Sequence, residues 1–135
     1  SICEQLKTRT RTSYTRYVKK EKHEGRYLFY QDLMYSSLQN NLKAQFRFAY
    51  FDTDSYNTRI YAYENNVLYG YSFPALYDRG FRSYLNLNWK PFTLITLYLK
   101  AGLTYYPDKS TISSSLTQVN DNKLFDLSFQ IRIKL

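Results

Sequence analysis

The chain has 135 residues, one domain's length, and 19 lysines and arginines against 11 aspartates and glutamates leave a formal charge of +8. Sixteen tyrosines and nine phenylalanines beside only four glycines and three prolines argue against disorder, since this much ring surface can offset the entropy of folding. One cysteine, Cys3, excludes an internal disulfide and a zinc knuckle, and one histidine, His23, excludes a multi-histidine metal centre.

No cationic stretch followed by an apolar core opens the sequence at Ser1-Ile2-Cys3-Glu4-Gln5-Leu6, so it reads as a mature form or as a piece of something longer. The longest apolar run, residues 92–99, is interrupted by Thr93 and Thr96 and falls short of the roughly 20 residues of a spanning helix. A membrane strand needs only about 9–11 residues, so a β-barrel stays open.

The period along the chain is two. Residues 2–17 are mostly Thr, Arg and Lys with a poor apolar face, and their Thr content predicts a strand. Residues 26–36 are aromatic on both parities. In 42–50, Leu42, Ala44, Phe46, Phe48 and Tyr50 oppose Lys43, Gln45 and Arg47. In 82–90, Leu85, Leu87 and Trp89 oppose Tyr84, Asn86, Asn88 and Lys90. In 95–105, Ile95, Leu97, Leu99, Ala101, Leu103 and Tyr105 oppose Thr96, Tyr98, Lys100, Gly102 and Thr104. In 125–135, Phe125, Leu127, Phe129, Ile131, Ile133 and Leu135 oppose Asp126, Ser128, Gln130, Arg132 and Lys134. A helix would smear these sets around its circumference, whereas a strand separates them.

Breaks fall at 18–25, 37–41, 52–55, 65–66, 74–79, 90–92 and 106–122. Asn65-Asn66 reads as a two-residue hairpin turn, because Asn tolerates positive φ, and this predicts eight strands. One bulged strand over 58–72 would give seven. Eight makes longer and shorter connections alternate, as in outer-membrane barrels.

Two barrel types fit. A soluble barrel turns its apolar parity inward, and a membrane barrel turns it outward to lipid. The apolar parity is unbroken over whole strands, whereas a small tapering interior needs mixed sizes. Tyr and Phe cluster toward segment ends (Tyr27/Phe29/Tyr30, Tyr61/Tyr63, Tyr69/Tyr71/Phe73, Tyr105-Tyr106), as in interfacial girdles. The other parity is polar but lightly charged. These features predict an all-β fold over 1–135: an antiparallel up-and-down meander of about eight strands, either a membrane β-barrel or the terminal part of a larger one. Leu97, Leu99, Leu103, Phe125, Leu127, Phe129, Ile131, Ile133 and Leu135 are expected to face lipid. Lys43, Arg47, Lys100, Asp126, Gln130, Arg132 and Lys134 are expected to face the lumen. A last strand with apolar residues at every second position resembles the closing strand that barrel-insertion machinery engages, although many such strands end in Phe and this chain ends in Leu.

Three stretches carry a family likeness: Gly25-Arg26-Tyr27-Leu28-Phe29-Tyr30-Gln31-Asp32, Phe51-Asp52-Thr53-Asp54-Ser55-Tyr56-Asn57-Thr58-Arg59-Ile60-Tyr61-Ala62-Tyr63-Glu64-Asn65-Asn66 and Gly80-Phe81-Arg82-Ser83-Tyr84-Leu85-Asn86-Leu87. With them the chain resembles, over residues 5–135, the C-terminal β-barrel-like region of Gram-negative bacterial helix-hairpin-helix domain-containing proteins. The resemblance implies a barrel or barrel-terminal segment of unassigned activity in the bacterial outer membrane. Its partners would be membrane lipid and lipopolysaccharide, the insertion machinery and upstream strands of the same protein. The helical modules have no counterpart here, so the DNA binding that the family's label implies does not transfer.

No catalytic set is expected. His23 lies in the charged run Lys19-Lys20-Glu21-Lys22-His23-Glu24 and reads as a bystander, and Cys3 has no base placed beside it. Asp52 and Asp54 would need Asp78 or Asp32 to hold Ca²⁺, and a turn-forming role suits them better, so no metal or cofactor is expected. Arg47, Arg59, Arg82, Arg132, Lys43, Lys100 and Lys134 could pair with Glu64, Asp126 and Asp32, plugging the lumen or making it anion-selective; a small barrel filled by side chains favours the plug. The basic first strand (Lys7, Arg9, Arg11, Tyr14, Arg16, Tyr17, Lys19, Lys20) admits a nucleic-acid reading. The aromatics are spread over all strands instead of one platform, which favours anionic headgroups or the lumen as its surroundings. The expectation is a structural or transport role without catalysis. The alternative is a soluble barrel that binds an apolar ligand or single-stranded nucleic acid.

Overall fold

Side chains that alternate between two faces satisfy their backbone by pairing strands laterally. The computed structural model describes residues 5–19, 22–112 and 120–134. They form eight antiparallel strands and no α-helix: β1 (Leu6–Lys19), β2 (Lys22–Ser36), β3 (Leu42–Thr53), β4 (Ile60–Tyr61), β5 (Ala75–Leu76), β6 (Arg79–Phe92), β7 (Ile95–Tyr105) and β8 (Lys123–Ile133). Six of them make one meander in the order β1-β2-β3-β6-β7-β8, and β4 and β5 pair separately. The sheet is not closed into a barrel: β1 and β8 are its two edges.

Three expectations about boundaries change. Residues 18–25 are not a long loop, since β1 and β2 stay in register out to Lys19↔Lys22. Charged residues are tolerated in exposed strands, so charge alone marked the wrong break. The 90–92 break falls inside β6, where a register irregularity between Trp89 and Phe92 precedes a turn at residues 93–94. The strands expected on either side of Asn65-Asn66 do not join the main sheet. Residues 54–78 instead leave β3, form a short 3-10 turn at Tyr56–Thr58 and the β4–β5 pair, and bridge Glu64 to Ser72. The Asn pair opens a wider loop in which Gly70 N–H donates to the Val67 carbonyl and Tyr69 takes φ 62°.

Each connection has a side. Residues 37–41 and 93–94 turn at one end, and Lys19 and Lys22 of β1 and β2, residues 54–78, 106–112 and 120–122 lie at the other. From that second end, residues 54–78 fold down over one face of the sheet. Leu28, Tyr30, Ala49 and Phe51 of that face pack with Leu76, Tyr106 and Ile112 into the apolar core. Phe51 meets the Tyr106 ring edge-on at 5.8 Å. It lies across its register partner Gly80, where an added Cβ would come within 2.7 Å of both the Phe51 ring and the Tyr105 carbonyl. Gly80 therefore serves by having no side chain.

Candidate functional site

The two faces of the sheet differ in chemistry and in cover. One face is open and mainly apolar from β3 to β8, while β1 presents Thr8, Thr10, Thr12 and Arg16 on it. Phe125, Leu127, Phe129, Ile131 and Ile133 are each 53–64% exposed, and Phe46, Phe48, Leu85, Trp89 and Leu103 are exposed beside them. Leu97 and Leu99 are half-buried on the same face, and Leu135 lies outside the described residues. Toward the long-loop end this face carries an aromatic row across four strands, with ring centroids 6.1 Å apart for Tyr27–Tyr50, 5.3 Å for Tyr50–Phe81 and 6.5 Å for Phe81–Tyr105. Large apolar side chains exposed side by side across β3, β6, β7 and β8 are what a soluble monomer seldom leaves bare over more than a few hundred Å².

The other face buries charge. Asp32 of β2 lies between its register partners Arg9 of β1 and Arg47 of β3. Arg47 grips it with Nε at 2.5 Å and Nη2 at 2.9 Å, and Arg9 adds Nε at 2.9 Å and Nη2 at 2.5 Å. Nη1 of Arg47 donates to the Tyr63 carbonyl at 2.7 Å, which ties the cluster to the covering segment. The Arg47 guanidinium lies 3.9 Å from the Tyr30 ring centroid, a cation–π contact.

The second cluster centres on Glu64 of the covering segment. Arg82 of β6 donates to it from Nε at 2.5 Å and Nη2 at 2.8 Å, and Lys100 of β7 donates from Nζ at 2.8 Å. Lys100 also donates to Ser72 Oγ at 2.6 Å, and Nη1 of Arg82 reaches Thr104 Oγ1 at 2.7 Å and Asp126 Oδ1 at 3.0 Å. Burial pushes the Glu64 carboxyl up, but Arg82 and Lys100 outweigh it and hold Glu64 below the usual carboxylate range. Tyr84 stands between the clusters, its ring 5.3 Å from the Arg47 guanidinium and 5.2 Å from Lys100 Nζ.

The expected lumen residues therefore divide. Arg47 and Lys100 are buried in these clusters, and Asp126 joins from the edge strand. Gln130 is half-buried on the same face. Lys43, Arg132 and Lys134 are exposed. They sit at the short-turn end, past Gln45, the position that Asn65 of the cover reaches with a hydrogen bond. Near Lys43, an amide-lined cavity of about 650 Å³ is bounded by Gln45, Asn65, Asn86 and Asn88. Arg59 is not on a main-sheet strand; it lies in the cover, 4.6 Å from the Tyr56 ring. The roles of Arg9, Tyr84, Ser72 and Thr104 were not foreseen, although Tyr84 and Thr104 share the polar parity of Arg82 and Lys100.

Asp52 pairs with Arg79 at 3.1 Å, and Asp54 accepts the Gly25 N–H at 2.6 Å. Among the described residues, no group of three or more His, Cys, Asp or Glu converges. His23 pairs with Val18 across the β1–β2 hairpin and is exposed, and Cys3 lies outside the described residues. Comparison with protein families, curated proteins and solved structures finds no match to this chain.

Proposed function

We propose that the chain is part of a bacterial outer-membrane β-barrel, with its open apolar face toward lipid and its covered ionic face toward a lumen that residues 54–78 plug. The observation that carries this reading is the inversion of the two faces: the greasy parity is bare and the charged parity is buried, the reverse of a soluble barrel. Strand length supports it, since the six sheet strands run 11 to 15 residues where a membrane strand needs about 9–11. The aromatic row suits the interface, where ring edges meet headgroups and lipopolysaccharide. The two free edges would be completed by further strands, which agrees with a segment of a larger barrel like that of the helix-hairpin-helix domain-containing proteins the sequence resembles. With two buried ion clusters under a covering segment, the role is structural, or transport through a closed and gated path, without catalysis.

The test is depth-resolved labelling in reconstituted vesicles. In a Cys3→Ser background, single cysteines carrying a fluorophore at 127 through 131 report quenching by brominated lipid. Quenching at 127, 129 and 131 but not at 128 and 130 is expected. A monodisperse protein in detergent-free buffer, with no alternation of quenching, would overturn the reading.

A further inference from the structure

A second cavity lies on the covered face, between β1–β3 and residues 59–63 of the cover, with a volume of about 480 Å³. Five guanidiniums line it, those of Arg9, Arg11, Arg26, Arg47 and Arg59, and no carboxylate is in the lining. Asp32, beneath it, pairs with both Arg9 and Arg47 and offsets one of their two charges. Arg11, Arg26 and Arg59 make no ion pair among the described residues. The nearest acid along β2, Glu24, is hydrogen-bonded to Ser55. Arg59 is held flat by Tyr61 Oη, which accepts from its Nε at 2.6 Å, and by the Tyr56 carbonyl, which accepts from Nη1 at 3.2 Å. Its remaining edge is left for a ligand. Like charges gathered in one partly enclosed space repel, and an arginine fork matches the oxygens of a phosphoryl group in pairs.

We infer that this cavity binds a compact, soluble polyphosphate anion. Arg11 and Arg26 come from neighbouring strands and Arg59 from the cover, so three cations without an ion pair are offered to one multiply charged ligand. The hydroxyl-bearing side chains of Tyr30, Tyr61 and Tyr63 stand in the same lining. A volume of this size is that of a small-ligand site. The inference concerns the covered face alone. A failed titration would leave the membrane reading untouched, and a protein that proved soluble would leave the titration interpretable.

The test is calorimetric titration of the full chain, folded in detergent, with sodium pyrophosphate. Saturable binding that weakens as salt rises is expected. Arg26→Gln and Arg59→Gln should each weaken it by about tenfold. Arg16→Gln, on the open face, should leave it unchanged. Arg11→Gln replaces either cavity variant that fails to fold. Absence of saturable binding, or equal weakening by Arg16→Gln, would overturn the inference.

Discussion

The Asp32 and Glu64 clusters use the same chemistry for different ends. In the first, the acid and both arginines belong to adjacent strands and face one another in register, so the cluster ties β1, β2 and β3 sideways and needs the cover only for one carbonyl. In the second, the acid comes from the covering segment and the bases from β6 and β7, so the cluster holds the cover down. A buried ion pair adds little net stability over a well-packed apolar substitute, but removing one partner leaves a charge stranded at high cost. Losing Asp32 should therefore loosen one edge of the sheet, whereas losing Glu64 should release residues 54–78.

The largest effect is expected for Glu64→Gln. It strands Lys100 and leaves Arg82 to Asp126 at the sheet's edge, both bases being almost wholly buried, and should cost about 3–5 kcal/mol. Limited proteolysis should then cut within 54–78 while the sheet stays intact. Asp32→Asn should cost less, about 3 kcal/mol, because half-exposed Arg9 can be solvated and only Arg47 is stranded. It should leave 54–78 resistant. Equal protease sensitivity in the two variants would erase the distinction between the clusters.

Acid should act on the cover in the same way. The carboxyl of Glu64 titrates below its ordinary value of 4.5 when the cover is docked. Its contribution to docking is thus fully present above that value and is lost only as pH falls through the lower, docked-state pKa. Protection of 54–78 from an acid-active protease should hold through mildly acid pH and fail below the carboxylate range, and Glu64→Gln should remove that step. Lys100→Met is the next smaller change. Glu64 keeps its two bonds from Arg82, so about 2 kcal/mol should be lost, read as a shift in denaturant midpoint without a change in slope.

The sheet was legible because alternation is a local property. Residues 42–48, 85–89, 95–105 and 125–133 sort most of their apolar side chains onto one parity, and the 37–41 turn followed from the same count. The cover was not legible. Tyr61 and Tyr63, then Tyr69, Tyr71 and Phe73, alternate as faithfully as residues in the strands, and nothing in that pattern says that the segment lies across the sheet instead of within it. β2 read as ambiguous because it serves two apolar surfaces, with Leu28 and Tyr30 in the core and Tyr27 and Phe29 on the open side. For the site, parity assigned Arg47, Lys100 and Asp126 to one face. Which acid each base meets depends on register between strands far apart in the chain, and loop lengths misjudged at 18–25 and 54–78 conceal that register.

Asp126 offers the mildest way to sharpen the comparison. It belongs to edge strand β8, faces Gly102 of β7 in register, and reaches Arg82 across it. A Cβ on Gly102 would stand 2.6 Å from both Asp126 carboxylate oxygens. That carboxylate is the free end of a partly exposed side chain, so Gly102→Ala should swing it outward without moving the backbone. Arg82 then loses its outer partner but keeps Glu64 and Thr104. An exposed arm of this kind is worth about 0–1 kcal/mol, so the midpoint should barely shift and 54–78 should stay protected. Release of the cover by Gly102→Ala would mean that Asp126, from the sheet's edge, holds Arg82 in place for Glu64. The second cluster would then depend on lateral ties within the sheet as the first one does.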